Sequence, residues 1–322
     1  MNLKKCSQME GLLGMTFSEN REVCDFLILL PIKNESQNIL SCLDSINNQT
    51  KKSWHLFIQD NCSNDDTYQR CLDYSVIYPN ITVLQTRSNV PVLENWESLA
   101  KFAVTRVDSK YVVWMAGDDS WQSNDLLEKA DQKFSAEKDL VAVAPNFNMS
   151  FSPMLGRKNY MLSLKFTNFS KSIRLVKFLA HGAVATHLTY AVYRRRTFEE
   201  ILSSKLGELR SDAAADWFWS LATVLNGKVG NISSIYIKNH NFSGAAFAQK
   251  VNLPQAGLKN RFLTFFSNFE LNFHVYRNWH RVKMLNMSQS IIFLSFFLIR
   301  DIGNLISLII KYFRRKMPKR AY

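Results

Sequence analysis

Residues 25–32 read Asp25-Phe-Leu-Ile-Leu-Leu-Pro-Ile32, and the next three are Lys33-Asn34-Glu35. A short apolar run without alternation suits a strand buried on both faces, as at the centre of a parallel sheet. Working outward, Ile39, Leu43 and Ile46 share one face of a helix, with Asn34 or Ser36 as its candidate cap. Trp54-His-Leu-Phe-Ile58 reads as a second strand, stopped by the polar stretch Asp60-Asn-Cys-Ser-Asn-Asp-Asp-Thr67. A helix through Cys71 and Tyr74 leads to a third strand, Ile81-Thr-Val-Leu84. Residues 92–104 read as a helix, and Tyr111-Val-Val-Trp-Met115 as a fourth strand closed by Gly117-Asp-Asp-Ser120. A helix over 124–138 and a strand over 140–144 complete the series. Regular alternation of strand and helix predicts an α/β fold, a mostly parallel sheet with helices on both faces. Ligands of such sheets sit outside the carboxyl ends of the strands. Three strands end there in polar clusters: Lys33-Asn-Glu35, Asp60-Asn61 and Asp118-Asp119.

Beyond Pro145 the pattern predicts a helix over 172–180, a strand over 188–193 and a helix over 196–206. A further helix over 213–225 stops at Asn226-Gly227, and a strand follows over 229–238. The chain therefore divides into a polar N-terminal extension (1–22), the α/β domain (23–248) and a basic, aromatic, helical C-terminal region (249–322).

Charge separates these parts. The chain carries 40 Lys and Arg against 27 Asp and Glu, a net +13. Residues 250–322 hold 13 of the basic residues and only two acids, Glu270 and Asp301. The α/β domain is thus close to neutral and acidic on its ligand rim, which argues against a specific nucleic-acid-binding protein; no motif of that class is visible. Residues 288–313 form a largely apolar helical pattern with one polar stripe, Arg300, Asn304, Ser307 and Lys311, followed by a cationic cluster. That combination suits docking on an anionic membrane surface. The apolar stretch 291–310 is broken by Arg300-Asp301 and Asn304, which opposes a span. Five cysteines with no CxxC pair, all within residues 6–71, read as reduced thiols, and the opening residues lack a signal-peptide pattern. The expected location is cytoplasmic, peripheral on the inner face of the cell membrane.

Four pieces of this chain, in order, resemble the family 2 glycosyltransferases, which use the GT-A fold. They are Leu30-Pro-Ile-Lys-Asn-Glu35 with its helix ending in Asn48-Gln-Thr50, Ile58-Gln-Asp-Asn-Cys-Ser-Asn-Asp-Asp-Thr67, Met115-Ala-Gly-Asp-Asp119, and Ala215-Asp-Trp-Phe-Trp219 backed by Asn226-Gly-Lys228. The resemblance spans about residues 24–245. It implies an inverting transferase that moves a sugar from a nucleotide-sugar donor, a UDP-sugar, to a saccharide or lipid-linked saccharide acceptor in surface-polysaccharide synthesis. The alternatives are a catalytically inactive, transferase-like binding protein and a basic nucleic-acid binder.

The resemblance also places residues. Pro31, Lys33, Glu35, Asp60, Asn89, Asn95 and Asp118 fall at nucleotide-sugar-binding positions, with Asp60 accepting from the uracil or ribose edge. Asn89 is followed by Val90 where the family carries Gly, and Ala116 stands at the first position of the family's D-x-D pattern. Asp118 and Asp119 are adjacent carboxylates, which repel unless a cation or donor neutralises them; Mg²⁺ or Mn²⁺ would bridge them to a diphosphate. Which of the two holds metal and which holds sugar or ribose stays open at this level. His240 falls where many family members bring a His to the diphosphate or metal. Asp216, in an apolar stretch beside Trp217 and Trp219, is the candidate general base, with Asp212 as the alternative four residues earlier. The two Trp side chains offer acceptor stacking, although core packing explains at least one of them more simply.

Overall fold

The computed structural model describes residues 21–151, 159–203 and 215–240, together with Gln289, Ile291, Ile292 and Ser295. The first half follows the alternation closely: β1 (Glu22–Ile32), α1 (Ile39–Asn47), β2 (Trp54–Asp60), α2 (Thr67–Ile77), β3 (Ile81–Gln85), α3 (Val92–Arg106) and β4 (Val107–Trp114). Next come β5 (Ser120–Trp121), α4 (Leu126–Ala136), β6 (Leu140–Phe151) and β7 (Tyr160–Ser163). The second half adds α5 (Lys171–His181), a 3₁₀ segment (Gly182–Tyr190), β8 (Val192–Arg194), α6 (Arg195–Ser203), α7 (Ala215–Asn226) and β9 (Lys228–His240).

Among the described residues the strands form one sheet in the order β3-β2-β1-β4-β8-β6-β9-β5, with β7 against β6. The β3-β2-β1-β4 half is parallel throughout. Every residue of β1 from Phe26 to Ile32 is buried, as the unbroken apolar run requires of a central parallel strand. Then β8 enters antiparallel between β4 and β6, and β9 runs parallel to β6. The fifth predicted strand therefore does not lie next to the fourth; the three residues of β8, of which Val192 and Tyr193 are buried, fill the gap. The strand expected over 188–193 is shorter than predicted because residues 182–190 coil into the 3₁₀ segment.

The first turn also differs in detail. The cap of α1 is Asn38, not Asn34 or Ser36. Asn34 takes a left-handed φ of 55°, reversing the chain directly after β1. There its N–H donates to Ser63 Oγ at 2.8 Å, and its side-chain oxygen accepts from Asn64 N–H at 3.0 Å. Asn34 thus ties the turn after β1 to the turn after β2.

The core lies between sheet and helices. Tyr111 stacks on Phe134, ring centroids 4.6 Å apart, and the Arg194 guanidinium lies over the Phe134 ring at 4.7 Å. On the other side Trp114 meets Trp96, Phe198 and Trp219. The four described residues of the predicted C-terminal region are helical; Gln289 is buried and Ile292 packs against the core, while Ile291 is exposed. The rest of that region, with the polar stripe at Arg300, lies outside the described residues. No helix among the described residues is long and apolar enough to cross a membrane.

Phe134 is fully buried and joins α4 to β4. Phe134→Ala should lower the unfolding free energy by about 3–5 kcal/mol; urea denaturation of the two proteins measures it.

Candidate functional site at the strand ends

Parallel register decides which side chains meet. Ile32 pairs with Asp60, Asp60 with Gln85, and Leu29 with Trp114. The carboxyl ends of β1, β2 and β4 therefore finish beside one another, and the segments that follow share one rim.

Asp60 ends β2 and is fully buried. One carboxylate oxygen accepts from Ser63 N–H and from Gln85 Nε2, each at 3.0 Å, and the other accepts from the Ser63 hydroxyl. Two of its lone-pair sites are spent on its own turn and a third on Gln85 of β3, and one remains. Asn61 grips the next loop: its side-chain oxygen accepts from Val90 N–H at 2.9 Å, and its amide donates to the Val90 carbonyl at 2.8 Å. That loop carries Asn89, whose side-chain oxygen receives the Lys33 ammonium at 2.5 Å. Lys33 and Asn89, predicted from separate stretches, are therefore one contact. Pro31 is buried in β1.

Asn95 departs from the expectation. It is buried in α3, and its side-chain oxygen accepts from Gln59 Nε2 at 2.8 Å. Gln59 and Asp60 are neighbours on β2 and point to opposite faces. The Asn95 carboxamide is thus committed to the face away from Asp60.

The turn after β4 packs tightly. A Cβ on Gly117 would come within 2.9 Å of both Glu35 Cγ and Ile32 Cγ2, so glycine is needed for the approach to the first turn. Glu35 is half-buried and accepts from Asn38 Nδ2 at 3.1 Å; burial, and next the Asp118 charge, push its carboxyl up to about 7.

Asp118 and Asp119 are not equivalent. Asp119 is 1% exposed. One of its oxygens accepts from Tyr236 Oη at 2.9 Å and from Lys238 Nζ at 2.6 Å, and the other accepts from Asn239 N–H at 3.0 Å. Burial pushes its carboxyl up to about 7, with Lys238 opposing. Asp118 is half-buried, and among the described residues no side chain bonds to its carboxylate; its backbone carbonyl accepts from Asn239 Nδ2 at 2.6 Å. The expected two-carboxylate metal pair is therefore split. Among the described residues no three His, Cys, Asp or Glu side chains form a metal cluster. The donors do fit Mg²⁺ or Mn²⁺ held by one carboxylate, Asp118, with phosphate oxygens supplying the rest, a common mode for Mg²⁺. Ala116 contributes a carbonyl to Asp119 N–H at 3.2 Å and no side-chain ligand.

Asp216 is half-buried in the first turn of α7, where the helix dipole favours negative charge. Its carbonyl accepts from Thr189 Oγ1 at 2.9 Å, and Thr189 meets Ser220 Oγ at 3.0 Å. These buried hydroxyls fasten the start of α7 to the 3₁₀ segment. Tyr190 ends that segment, and burial pushes its hydroxyl far up; the charges of Lys238, Asp216, Asp119 and Asp118 all reach it. Tyr190 therefore joins the rim to the start of α7. Trp219 is core, against Trp114 and Phe198, while Trp217 is half-buried against Phe178. His240 pairs with Phe151 at the end of β9, and Asp212 lies outside the described residues.

Tyr236, Lys238 and Tyr190 escaped the sequence reading. The signal was present: Tyr236 and Lys238 are two apart in a strand, so both face the same way, and a lysine there within an apolar run needs a partner.

Comparison with known proteins gives three results. The profile described as Glycosyl transferase family 2 matches residues 27–202. Glycosyltransferase AglE of Haloferax volcanii is 32% identical over 59 residues, 18% of this chain and 19% of that protein. The shared stretch spans about a fifth of that relative. Crystal structures of S. aureus TarS residues 1–349 share the fold: TM-score 0.57 at 15% identity, covering 92% of this chain and 93% of that one. The complex of TarS 1–349 with UDP-GlcNAc gives 0.59 at 15% identity, over 85% and 71%. The fold is the GT-A fold.

The raised Glu35 carboxyl has a measurable consequence. An acid whose folded pKa lies above its ordinary 4.5 holds its proton more tightly in the folded chain. Stability then falls as pH rises from about 4.5 through about 7. Glu35→Gln should flatten that part of the curve, as thermal melts at pH 5 and pH 8 would show.

Proposed function

The chain belongs to glycosyl transferase family 2, and from that premise we propose that it transfers a sugar, with inversion, from a UDP-sugar to a saccharide or lipid-linked saccharide acceptor. The observation that carries this reading is the common rim, at the ends of three parallel strands, that carries Lys33, Asp60 and Asp118. TarS, of the same fold, has been crystallised with UDP and with UDP-GlcNAc. In this reading the remaining lone pair of Asp60 accepts from the base or ribose edge. Pro31, Glu35 and the Lys33–Asn89 contact wall the nucleotide side. Asp118 would hold Mg²⁺ or Mn²⁺, with His240 as the second candidate ligand. When bound, the cation supplies charge stabilisation for the departing diphosphate.

The reaction needs a base on the other side of the anomeric carbon. The acceptor hydroxyl oxygen forms the new bond to that carbon while the bond to the diphosphate oxygen breaks. The hydroxyl proton goes to a carboxylate, and the electron pair leaves with the diphosphate. The transition state has oxocarbenium character, as in glycoside hydrolysis. Asp216 is assigned the proton, because Thr189 and Ser220 fix the start of α7 next to Tyr190. Asp212 is the second choice. A lipid-linked acceptor fits the basic residues 250–322, which would hold the enzyme peripherally on the inner face of the cell membrane.

Release of UDP from a panel of UDP-sugars, with and without Mn²⁺, tests the activity against a binding protein that turns nothing over. Asp118→Asn should abolish the metal-stimulated part of that release. Asp216→Asn should keep UDP-sugar affinity but lose about 10²–10⁴-fold in transfer rate. Unchanged transfer in Asp216→Asn, with loss in Asp212→Asn, moves the base to Asp212.

A further inference from the structure

Three residues of β9 hold the Asp118-Asp119 turn. Tyr236 and Lys238 donate to one oxygen of Asp119, Asn239 N–H donates to the other, and Asn239 Nδ2 donates to the Asp118 carbonyl. The Lys238 ammonium lies 2.6 Å from Asp119 and 4.1 Å from the centre of the Tyr190 ring. Its side chain is 14% exposed and that of Asp119 0%. This is a desolvated ion pair with every strong partner supplied by the chain itself.

A divalent cation binding Asp119 would approach to about 2.0–2.1 Å of a carboxylate oxygen. It would then face an ammonium on the same carboxylate, in a medium that screens little. Three of the four lone-pair sites of Asp119 are already taken. Asp118, by contrast, has its carbonyl pinned and its carboxylate left over.

We propose that Asp119 is the anchor of this turn rather than a metal ligand, and that Lys238 is the positioning residue that holds it. The pair fixes the direction of Asp118, the carboxylate that meets the cation and the diphosphate. The inference rests on the donor site proposed above. It assigns Lys238 a role that depends on its partner: removing either charge strands the other in the core, whereas removing both leaves a neutral, similarly shaped pair.

The test is a double-mutant cycle on the full chain, Asp119→Asn, Lys238→Met and both together, read in two ways. The first is thermal unfolding without ligand. Each single variant should lose on the order of 5–10 °C, and the double should recover most of it. The second is UDP affinity by calorimetry across a Mn²⁺ titration. Both singles should weaken UDP binding about tenfold or more, and the double should return to within about threefold of the parent, because the pair acts as one unit. Lys238→Met adds an independent sign. If Lys238 positions the turn, its loss raises the Mn²⁺ concentration needed for half-maximal UDP binding. If it competes with metal for Asp119, its loss lowers that concentration.

A double variant that binds UDP as poorly as Asp119→Asn, or a lowered Mn²⁺ midpoint in Lys238→Met, overturns the proposal. Additive thermal losses overturn it as well. Should the parent bind no UDP at all, the transferase reading fails, and the thermal cycle still decides whether Asp119 and Lys238 are one unit.

Discussion

The parallel register of β1 with β2 and β4 is the constraint on which the rest depends. It pairs Ile32 with Asp60 and Leu29 with Trp114. A shift of one residue would turn Asp60 into the opposite face and bring Gln59 to the rim. Because the register holds, three turns far apart in sequence end at one edge. The segments after β1, β2 and β3 bind one another through Asn34 with Ser63 and Asn64, Asn61 with Val90, and Lys33 with Asn89, and the turn after β4 packs on the first at Gly117. A site built this way is positioned by strands and does not depend on loop order alone.

Placing carboxylates at that edge has a stability cost. Asp60 and Asp119 are both almost wholly removed from water. The chain offsets this differently in each case. Asp60 is hydrogen-bonded by its own Asx turn and by Gln85 from the next strand. Asp119 takes an ammonium, a phenol and a backbone N–H from β9, a strand at the far side of the sheet. The second solution ties the end of the fold to its middle. It also links the donor rim to Tyr190 and, through the 3₁₀ segment, to the start of α7. Asp118 and Asp216, nearly a hundred positions apart, are thereby held in one frame.

The parallel half was legible in the sequence because its strands are long and its periods clean; Phe26–Ile32 and the Ile39, Leu43, Ile46 face were read directly. The antiparallel insertion of β8 was not, since a three-residue strand has no period of its own. The same holds for the two residues of β5. The polar rim was legible as a set of residues but not as a set of partners. Adjacent Asp118 and Asp119 look alike in sequence, and what separates them is Lys238, more than a hundred residues away. The family's spacing of Asn89 and Asn95 points both to the nucleotide; the helix phase of Asn95 sends its carboxamide to Gln59 instead. The C-terminal region was read as a separate basic piece, yet Ile292 packs against the core.

The central claim is that the ends of β1, β2 and β4 form one donor site. Amide hydrogen exchange of the intact chain, with and without a UDP-sugar and Mn²⁺, addresses it most directly, because it reads all three segments at once. The account predicts that ligand slows exchange together at residues 31–35, 60–67 and 115–120, with β9 at 236–239 following. Ligand binding that protects other surfaces and leaves these three segments unchanged would contradict it.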